Sequence, residues 1–423
     1  MTRLTLDEII DATSARVVLT RDADGAVRQA AFDLTGLPRV ESLLVGRSAP
    51  EVPGIVERLC GICPAAHHLA GIRALEALLG VVAVPPAAVA ARRVLHHAAV
   101  VWIHATGLIA ADPTLALTLR RFAKAAMAMV GSPGHFPATA VPGGVRAPLD
   151  DAAFETWRAL FKPAIDGALE HARAVAGTGR PDVFAGADVA LVDAAGRVDL
   201  FGTHLRAVAA DGRAVIDAAT PPDWDRFVAE ADPGASAPHP YLVPLGPGAG
   251  AYRVGPVAQL RVGELTTPLA RSLQADWRAR QGDAAWARAI MTVHAIEAIP
   301  AALACEEAYG GPITVPVPAA VPAGVGVGWV DGARGLLVHR YATAGDGTIT
   351  AATILTPTAQ NEPWLGDLLR AGATASGADP GAARAALEAA IHEADPCLPC
   401  SAAPAGAMDL VVDTVTTQAT EGD

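Results

Sequence analysis

Two Cys-x-x-Cys pairs lie near opposite ends of this chain, Cys60 with Cys63 and Cys397 with Cys400. The inner members of the two pairs are 334 residues apart (397 − 63 = 334). Each pair can bind a metal ion, but both can serve one site only if the fold brings the two ends of the chain together. The pairs therefore predict a buried, thiolate-rich metal centre that is formed by distant segments.

The composition favours a globular protein with a large core. The chain has 423 residues, of which 52% are hydrophobic, and its five cysteines are too few for a disulfide framework. A formal net charge of −12 and the lack of basic clusters interleaved with aromatic residues argue against a nucleic-acid-binding surface. The N-terminus lacks the apolar segment of a secretory signal. The most apolar stretch, residues 313–330, contains three prolines and reads as extended core segments, so we expect a soluble protein without a membrane span.

Hydrophobic periodicity predicts an α-rich α+β fold, a large helical body or bundle with small peripheral β-hairpins. We expect the N- and C-terminal cysteine motifs to meet there at a buried metal site. The predicted hairpins cover residues 16–35, 189–216 and 335–355, and a short strand follows in the tail. The predicted helices cover residues 38–48, 67–80, 86–109, 114–130, 152–176, 268–308, 363–371 and 380–394.

We expect a single domain over residues 1–423, since no composition shift marks a boundary. Its parts are an N-terminal hairpin with the first metal motif (1–80), a helical body with a small sheet (81–330), and a hairpin with the second metal motif and tail (331–423). On the long predicted helix, Cys305 is expected to be a small core residue. His96, His97 and His104 share one predicted helix without a visible carboxylate partner, and we interpret them as packing.

Four soft thiolates suit zinc, iron–sulfur clusters, nickel or copper(I). A structural zinc ion bound by four cysteines is one alternative. Zinc ribbons, however, usually have only about 15–20 residues between their pairs. A redox-active dithiol is less favoured, because neither pair follows a strand in a βαβ pattern.

The residues around the cysteines resemble one protein family. The segments ERLCGICPAAHH and DPCLPC resemble the two signature motifs of the nickel–iron hydrogenase large (catalytic) subunit. Four further segments resemble elements of that family in the same order: PRVESLLVGR, GHFPATAVPGG, GARGLLVHRY and TPTAQN. The compact length and the wording of the first motif are most similar to the cytoplasmic, bidirectional group that couples to NAD(P) or F420.

The resemblance implies a Ni–Fe centre with CO and cyanide ligands on the iron. Nickel would be bound by Cys60, Cys63, Cys397 and Cys400, of which Cys63 and Cys400 would also bridge to iron. Polarisable sulfur keeps nickel electron-rich, and the terminal thiolate of Cys397 could accept a proton as H₂ splits.

The resemblance also assigns residues around the metals. Arg334 would lie over them, with a surface hairpin arginine as the alternative. His67 would bond a bridging sulfur and tune it, unless it simply packs at a helix start. Pro357 and Thr358 would bind a cyanide ligand, or form an ordinary turn. Glu41 would bind a structural Mg²⁺.

Two positions depart from the family pattern. Where the family has a glutamate that passes protons towards solvent, this chain has Ala12 or Thr13, depending on a one-residue choice of alignment. Where the family has a histidine after the last cysteine, at which a protease cuts, this chain has Ala403. The tail after Ala403 is therefore predicted to be retained, with processing by a less specific protease as the alternative.

The resemblance implies a catalytic large subunit that cleaves H₂ reversibly in the cytoplasm. Electrons would pass to an Fe–S small subunit, because no further cysteine pattern here could hold clusters, and then through flavin/NAD(P) diaphorase-type subunits to a carrier such as NAD(P). One alternative is a homologue without turnover, either an H₂ sensor or a scaffold subunit of an electron-transfer complex. The other is the structural zinc protein.

Overall fold

The computed structural model describes residues 14–34, 40–377 and 379–417. Its α-helices are α1 (Val52–Val56), α2 (Pro64–Leu78), α3 (Pro86–Gly107), α4 (Pro113–Met129), α5 (Asp151–Ala174), α6 (Trp224–Phe227), α7 (Gly246–Ala249), α8 (Pro256–Val262), α9 (Pro268–Ala279), α10 (Ala284–Ala302), α11 (Pro357–Gln360), α12 (Glu362–Ala375) and α13 (Pro380–Ala394). Its β-strands are β1 (Ser14–Arg21), β2 (Val27–Phe32), β3 (Ala140–Val141), β4 (Gly144–Val145), β5 (Ala187–Val192), β6 (His204–Val208), β7 (Ala214–Ala219), β8 (Val228–Glu230), β9 (Pro240–Leu242), β10 (Tyr252–Arg253), β11 (Gly324–Gly332), β12 (Gly335–Thr343), β13 (Ile349–Leu355) and β14 (Asp409–Thr416).

The core is a group of helices around α3, which contacts both α4 and α10. Helix α3 is rich in alanine and valine and is buried on most of its faces, as expected for a central helix of a bundle. Helix α5 packs against α4 and α10 and buries only one apolar stripe. This arrangement confirms the predicted α-rich fold with small sheets at its periphery. The single-domain division remains a prediction.

A three-stranded sheet with the order β11-β12-β13 packs against helix α2. Strand β11 approaches the helix so closely that a Cβ atom at Gly328 would lie 2.2 Å from the backbone nitrogen of Ala74 and 2.3 Å from the carbonyl oxygen of Ala70. Glycine is the residue that permits such an approach. The contact fixes the β11–β12 hairpin relative to the helix that follows the first cysteine pair.

The two ends of the chain meet in a second sheet, with the order β14-β1-β2. Strand β14 pairs with β1 in parallel over eight residues, from Ser14 opposite Asp409 to Arg21 opposite Thr416. The predicted N-terminal hairpin and the predicted strand in the tail are both confirmed. Residues 12 and 13, where the family has its glutamate, lie outside the described residues.

The prediction of one long helix over residues 268–308 is wrong. The chain breaks between α9 and α10, where Gln281 adopts a positive φ of 50°. Asp283 then starts α10 by accepting a hydrogen bond from the backbone nitrogen of Trp286. Cys305 lies beyond the end of α10 and is exposed, so its assignment to the core is also wrong.

Other predicted elements agree with the structure in kind. The helices predicted at 86–109, 114–130 and 152–176 correspond to α3, α4 and α5, and those at 363–371 and 380–394 to α12 and α13. The predicted hairpins at 189–216 and 335–355 correspond to β5–β7 and β12–β13. The described part of 38–48 holds only a 3₁₀ turn, Glu41–Leu43. Across the described ranges, every helix is too short or too polar to cross a membrane.

Candidate metal centre

The first cysteine pair lies at the N-terminus of α2. Pro64 occupies the first position of this helix, where its missing N–H has no cost and its fixed φ favours the helical turn. The backbone nitrogens of Ile62 and Cys63 both donate to the sulfur of Cys60, at 3.4 Å each. The turn therefore holds Cys60 towards the protein interior and places Cys63 at the helix N-cap.

Three of the four predicted thiol ligands form one cluster. The sulfur of Cys60 lies 3.1 Å from that of Cys63, and the sulfur of Cys397 lies 3.5 Å from each of them. Sulfurs about 2.3 Å from a tetrahedral metal ion would be about 3.8 Å apart, so the three are already close to the spacing of ligands to one ion. The residues present therefore fit a thiolate-bound metal, and the predicted meeting of the two chain ends is confirmed.

The fourth predicted ligand, Cys400, is buried at 1% exposure in the 3₁₀ helix Pro399–Ala402. Its sulfur is not part of the group formed by Cys60, Cys63 and Cys397. Its role as a ligand thus remains a prediction, which requires this turn to rearrange.

The three clustered sulfurs share their protons unequally. Hydrogen bonds from the thiols of Cys397 and Cys63 lower the pKa of Cys60 far below its ordinary value. The same contacts act in the opposite direction on the donors: the hydrogen bond to Cys60 raises the pKa of Cys397 to about 12, and the pKa of Cys63 is also raised. A cation bound to all three would displace the remaining thiol protons, because thiolate is the ligand form.

Arg334 lies at the turn between β11 and β12, which carries its side chain to the second cysteine motif. Its guanidinium donates to the backbone oxygen of Asp395 at 3.0 Å and to the carboxylate of Asp395 at 3.1 Å. A third nitrogen lies 3.9 Å from the sulfur of Cys397. Burial opposes the charge on Arg334, but the negative charges of Asp395 and the cysteines outweigh it and raise its pKa further. The arginine therefore stays cationic beside the cluster, and a surface position is excluded.

His67, in the first turn of α2, begins a buried row of polar side chains. Its Nδ1 lies 3.0 Å from Nε2 of His339, whose Nδ1 in turn contacts the hydroxyl of Tyr341. Hydrogen bonding and charge from His67 also contribute to the lowered pKa of Cys60. The contact with His339 thus orients the ring of His67, which faces the cysteine cluster with its other side.

The cluster opens into a cavity of about 610 Å³, which is called the metal cavity below. Glu41, Pro357 and Thr358 line it together with the three cysteines and Arg334. The hydroxyl of Thr358 accepts a hydrogen bond from the backbone nitrogen of Cys397 at 2.8 Å. The structure thus brings the predicted cofactor-binding residues to the predicted metal ligands, and their contacts with a bound group remain predictions.

The sequence interpretation missed two partners in this site. Asp395, which holds Arg334, adopts a left-handed conformation with φ 48° at the end of α13. A non-glycine residue in this region is uncommon and often belongs to a functional site. His339 stands in the same hairpin segment as Arg334, but nothing in the spacing of the sequence connects it with His67, 272 residues away.

Comparisons with known proteins agree with this geometry. Residues 39–112 match the model of the nickel-dependent hydrogenase family. The chain is 29% identical to a component of the vhu F420-non-reducing hydrogenase of Methanocaldococcus jannaschii, over 83% of this chain and 93% of that protein. It is 28% identical to the NAD-reducing hydrogenase HoxS subunit beta of Cupriavidus necator, over 94% of this chain and 93% of that protein.

Two solved structures show the same fold. The structure of an NAD⁺-reducing [NiFe]-hydrogenase in the H₂-reduced state matches with a TM-score of 0.74 and 29% identity, over 90% of this chain and 95% of that chain. A [NiFeSe] hydrogenase variant from Desulfovibrio vulgaris Hildenborough matches with a TM-score of 0.69 and 19% identity, over 93% of this chain and 100% of that chain. These matches confirm both the predicted fold and the resemblance stated from the motifs.

Proposed function

We propose that the chain is a member of the nickel-dependent hydrogenase family and the subunit in which H₂ is cleaved reversibly into two protons and two electrons. The observation that carries the proposal is the three-thiol cluster beside Arg334, built from both ends of the chain. A structural zinc site is not favoured, because a cationic arginine held against a ligand sulfur has no purpose in a site that only stabilises the fold. The names of the relatives also do not favour a homologue without turnover.

Cys60, Cys63 and Cys397 would hold the nickel, with Cys400 as the fourth ligand. When bound, the metal centre supplies the site at which H₂ is polarised and its two electrons are taken up. The protein contributes the rest. Arg334 keeps a fixed positive charge next to Cys397, which stabilises this sulfur as a thiolate that can accept a proton from H₂. Asp395 holds the guanidinium in place, so this charge needs no rearrangement during the reaction.

The finer assignments rest on the resemblance and on the lining of the metal cavity. We assign iron with CO and cyanide ligands to the side of the cavity lined by Pro357 and Thr358, where the hydroxyl and the backbone N–H of Thr358 can act as donors. Mg²⁺ is assigned to Glu41 together with backbone carbonyls and water.

Two electrons from each H₂ must leave the site. Outside the two pairs the sequence has only Cys305, so this chain cannot hold an Fe–S cluster of its own. We assign cluster binding to an Fe–S small subunit. NAD(P) as the final carrier is assigned by analogy with the NAD-reducing relative. Flavin/NAD(P) diaphorase-type partners and a cytoplasmic location are assigned from the resemblance of the motifs.

The test is metal analysis combined with infrared spectroscopy and turnover of the protein co-expressed with its partner subunits. We expect nickel and iron, infrared bands of CO and cyanide, and reduction of methyl viologen under H₂. Cys397→Ser should lose nickel and activity, whereas Cys305→Ser, which changes an exposed cysteine away from the cluster, should keep both. Zinc in place of nickel, or a fully loaded protein without turnover, would contradict the proposal.

A further inference from the structure

Under the proposed function, on which the following proposal rests, cleavage of H₂ at a buried site produces protons that must reach solvent. Beyond the site already described, helix α3 carries His96 and His97, and helix α10 carries His294. All three are buried, with exposures of 1–2%. The rings of His96 and His97 have centroids 5.8 Å apart, and those of His97 and His294 6.2 Å apart. The three rings form one continuous row, which is called the histidine row below.

One end of the histidine row faces the metal cavity. His96 lines this cavity together with Arg334 and His67. Its Nε2 lies 2.9 Å from the backbone oxygen of Asp331, and a carbonyl oxygen only accepts, so this nitrogen carries the proton of the neutral ring. Its Nδ1 is then unprotonated, and it is buried without a hydrogen-bond partner among the described residues. An unpartnered acceptor of this kind at a cavity wall is costly unless it has a function or a bound water.

The other end of the row faces a second cavity of about 610 Å³, which is lined by a different face of α3. His97 and His294 both line it, as do Asp199 and Glu297. Its rim includes Thr266, which is exposed, so the cavity communicates with solvent. Because His96 and His97 are consecutive residues of one helix, their side chains point about 100° apart, and each lines a different one of the two cavities.

We propose that His96, His97 and His294 carry protons between the metal cavity and the second cavity. A proton released in the metal cavity binds to Nδ1 of His96, and the cation then passes one proton to His97, which passes one to His294 and on to water in the second cavity. Each transfer breaks one N–H bond and forms another, and the row returns to its neutral state by ring rotation. Centroid separations of about 6 Å allow a direct contact after rotation or one bridging water.

The surroundings of the histidine row favour passing a proton along the row over holding a proton in it. Burial lowers the pKa of His96 and of His97 to about 3, and that of His294 to about 4. The rings are therefore neutral at rest, and each keeps one nitrogen open to a proton. Neighbouring rings and the guanidinium groups of Arg73 and Arg93 oppose a charge on the row, while the carboxylate of Asp199 favours it at all three rings.

The carboxylate of Asp199 also explains the direction in which protons leave the metal cavity. Arg93 holds its carboxylate by two hydrogen bonds of 2.8 and 2.6 Å, and this pairing keeps the pKa of Asp199 low despite its burial. The carboxylate is thus ionised beside the second cavity, at the far end of the row. A positive charge leaving the metal cavity moves towards this fixed negative charge.

The first test measures isotope exchange by the assembled enzyme. Under D₂ in H₂O, the wild type should release HD and H₂, whereas His96→Gln and His97→Gln should lower the rate of this exchange at least tenfold. Nickel content and the CO and cyanide infrared bands should stay unchanged, which separates a blocked proton route from a damaged metal site. The matched control is His104→Gln, since His104 is equally buried on the same helix but bonds Thr292 and the backbone of Ala333 outside the row. Exchange at the wild-type rate in both row variants would overturn the proposal.

A second measurement does not depend on turnover. In the enzyme complex labelled with ¹⁵N-histidine, we expect the ring proton of His96 to exchange with D₂O at least tenfold more slowly in His294→Gln than in the wild type. The ring proton of His339, which is equally buried but lies outside the row, should not change. Equal His96 exchange in both proteins would overturn the route even in an active enzyme. A loaded wild type that is inert towards H₂ would instead overturn the proposed function, while ring exchange would still decide the route.

Discussion

The guanidinium of Arg334 and the carboxylate of Asp395 lie 3.1 Å apart, and the same guanidinium lies 3.9 Å from the sulfur of Cys397. The ion pair is mostly buried, with side-chain exposures of 12% and 18%. A buried pair of this kind is weak evidence for stability, because removing both charges from water costs about as much as their attraction returns. Its geometry therefore points to a role in holding a positive charge beside the metal ligands.

Arg334→Lys should lower H₂-dependent dye reduction by about 10²-fold while nickel and iron stay bound. Lysine keeps the charge but cannot donate to both oxygens of Asp395 and approach Cys397 at the same time. The matched control is Arg340→Lys on the same hairpin, where the arginine pairs with exposed Asp225. This control should keep activity within about twofold, as expected for an exposed pair. Equal activity of the two variants would contradict a role for the guanidinium.

The sequence motifs indicated which segments meet at this site because the motifs are local. Each cysteine pair and Arg334 stand in short segments whose residue types are informative without the fold. The pairing of Arg334 with Asp395 was not predictable in the same way, since it joins a hairpin turn to the end of a helix 61 residues later. The left-handed backbone of Asp395 likewise has no signal in the sequence, except that proline follows and disfavours further helix.

The sequence-based predictions that were wrong also failed where a local backbone conformation has no clear signal in the sequence. Helical periodicity continues from α9 into α10, and the break depends on the positive φ of Gln281, a conformation that the sequence pattern does not specify. The Gly282–Asp283 pair was an available signal, because aspartate commonly starts a helix. The role of Cys400 as a fourth ligand is not among these errors and stays a prediction. Its spacing from Cys397 suggests that both face one ion, while the 3₁₀ turn at Pro399–Ala402 leaves its sulfur outside the group of three.

Thr358→Val should lower nickel content and the thermal midpoint of the protein. The change removes the acceptor of the hydrogen bond from the backbone nitrogen of Cys397, and an unsatisfied buried N–H costs about 1–3 kcal/mol. Thr358→Ser keeps the hydroxyl and is the matched control, with nickel content expected close to that of the wild type. If the valine and serine variants bind nickel equally well, the hydroxyl does not position Cys397.

The mature protein should retain the residues after Ala403, as measured by its intact mass. Strand β14 fills one edge of the β1–β2 sheet over eight residues, so removal of the tail would expose the edge of β1. Deletion of residues 404–423 should accordingly lower the thermal midpoint. A mature chain that ends near residue 403 would show the prediction to be wrong.

The attachment of the tail can be weakened without deleting it. Arg384 on α13 donates to the backbone oxygens of Met408 and Leu410, at 2.7 Å each. Arg384→Ala should lower the free energy of unfolding by about 1–2 kcal/mol, because two charged hydrogen bonds are lost at a half-exposed position. Arg370→Ala, which removes only an exposed pair with Asp367, should change it by less than about 0.5 kcal/mol. Faster proteolysis of the tail in the first variant alone would confirm the contact.

The stability of the protein should fall between about pH 5 and pH 7 because of Asp331. This carboxyl is fully buried beside the base of the Arg334 turn, and burial raises its pKa from 3.8 to about 7, although Leu191 and Gln259 donate hydrogen bonds to it. Over this range the unfolded chain has already released the proton that the folded chain still holds. The folded state therefore loses up to about 1.36 kcal/mol per pH unit relative to the unfolded state, or roughly 3 kcal/mol in total.

Asp331→Asn tests this prediction through the pH dependence of the thermal midpoint. The variant also loses a hydrogen-bond acceptor, and this loss lowers stability by an amount that does not depend on pH. The difference in thermal midpoint between wild type and variant should shrink or reverse from about pH 5 to pH 7, because only the wild type carries the ionising group. Asp346→Asn is the control: this exposed loop carboxylate has a lowered pKa and ionises well below the range. A constant difference between wild type and Asp331→Asn would mean that Asp331 is already ionised at pH 5, with its two donors outweighing its burial.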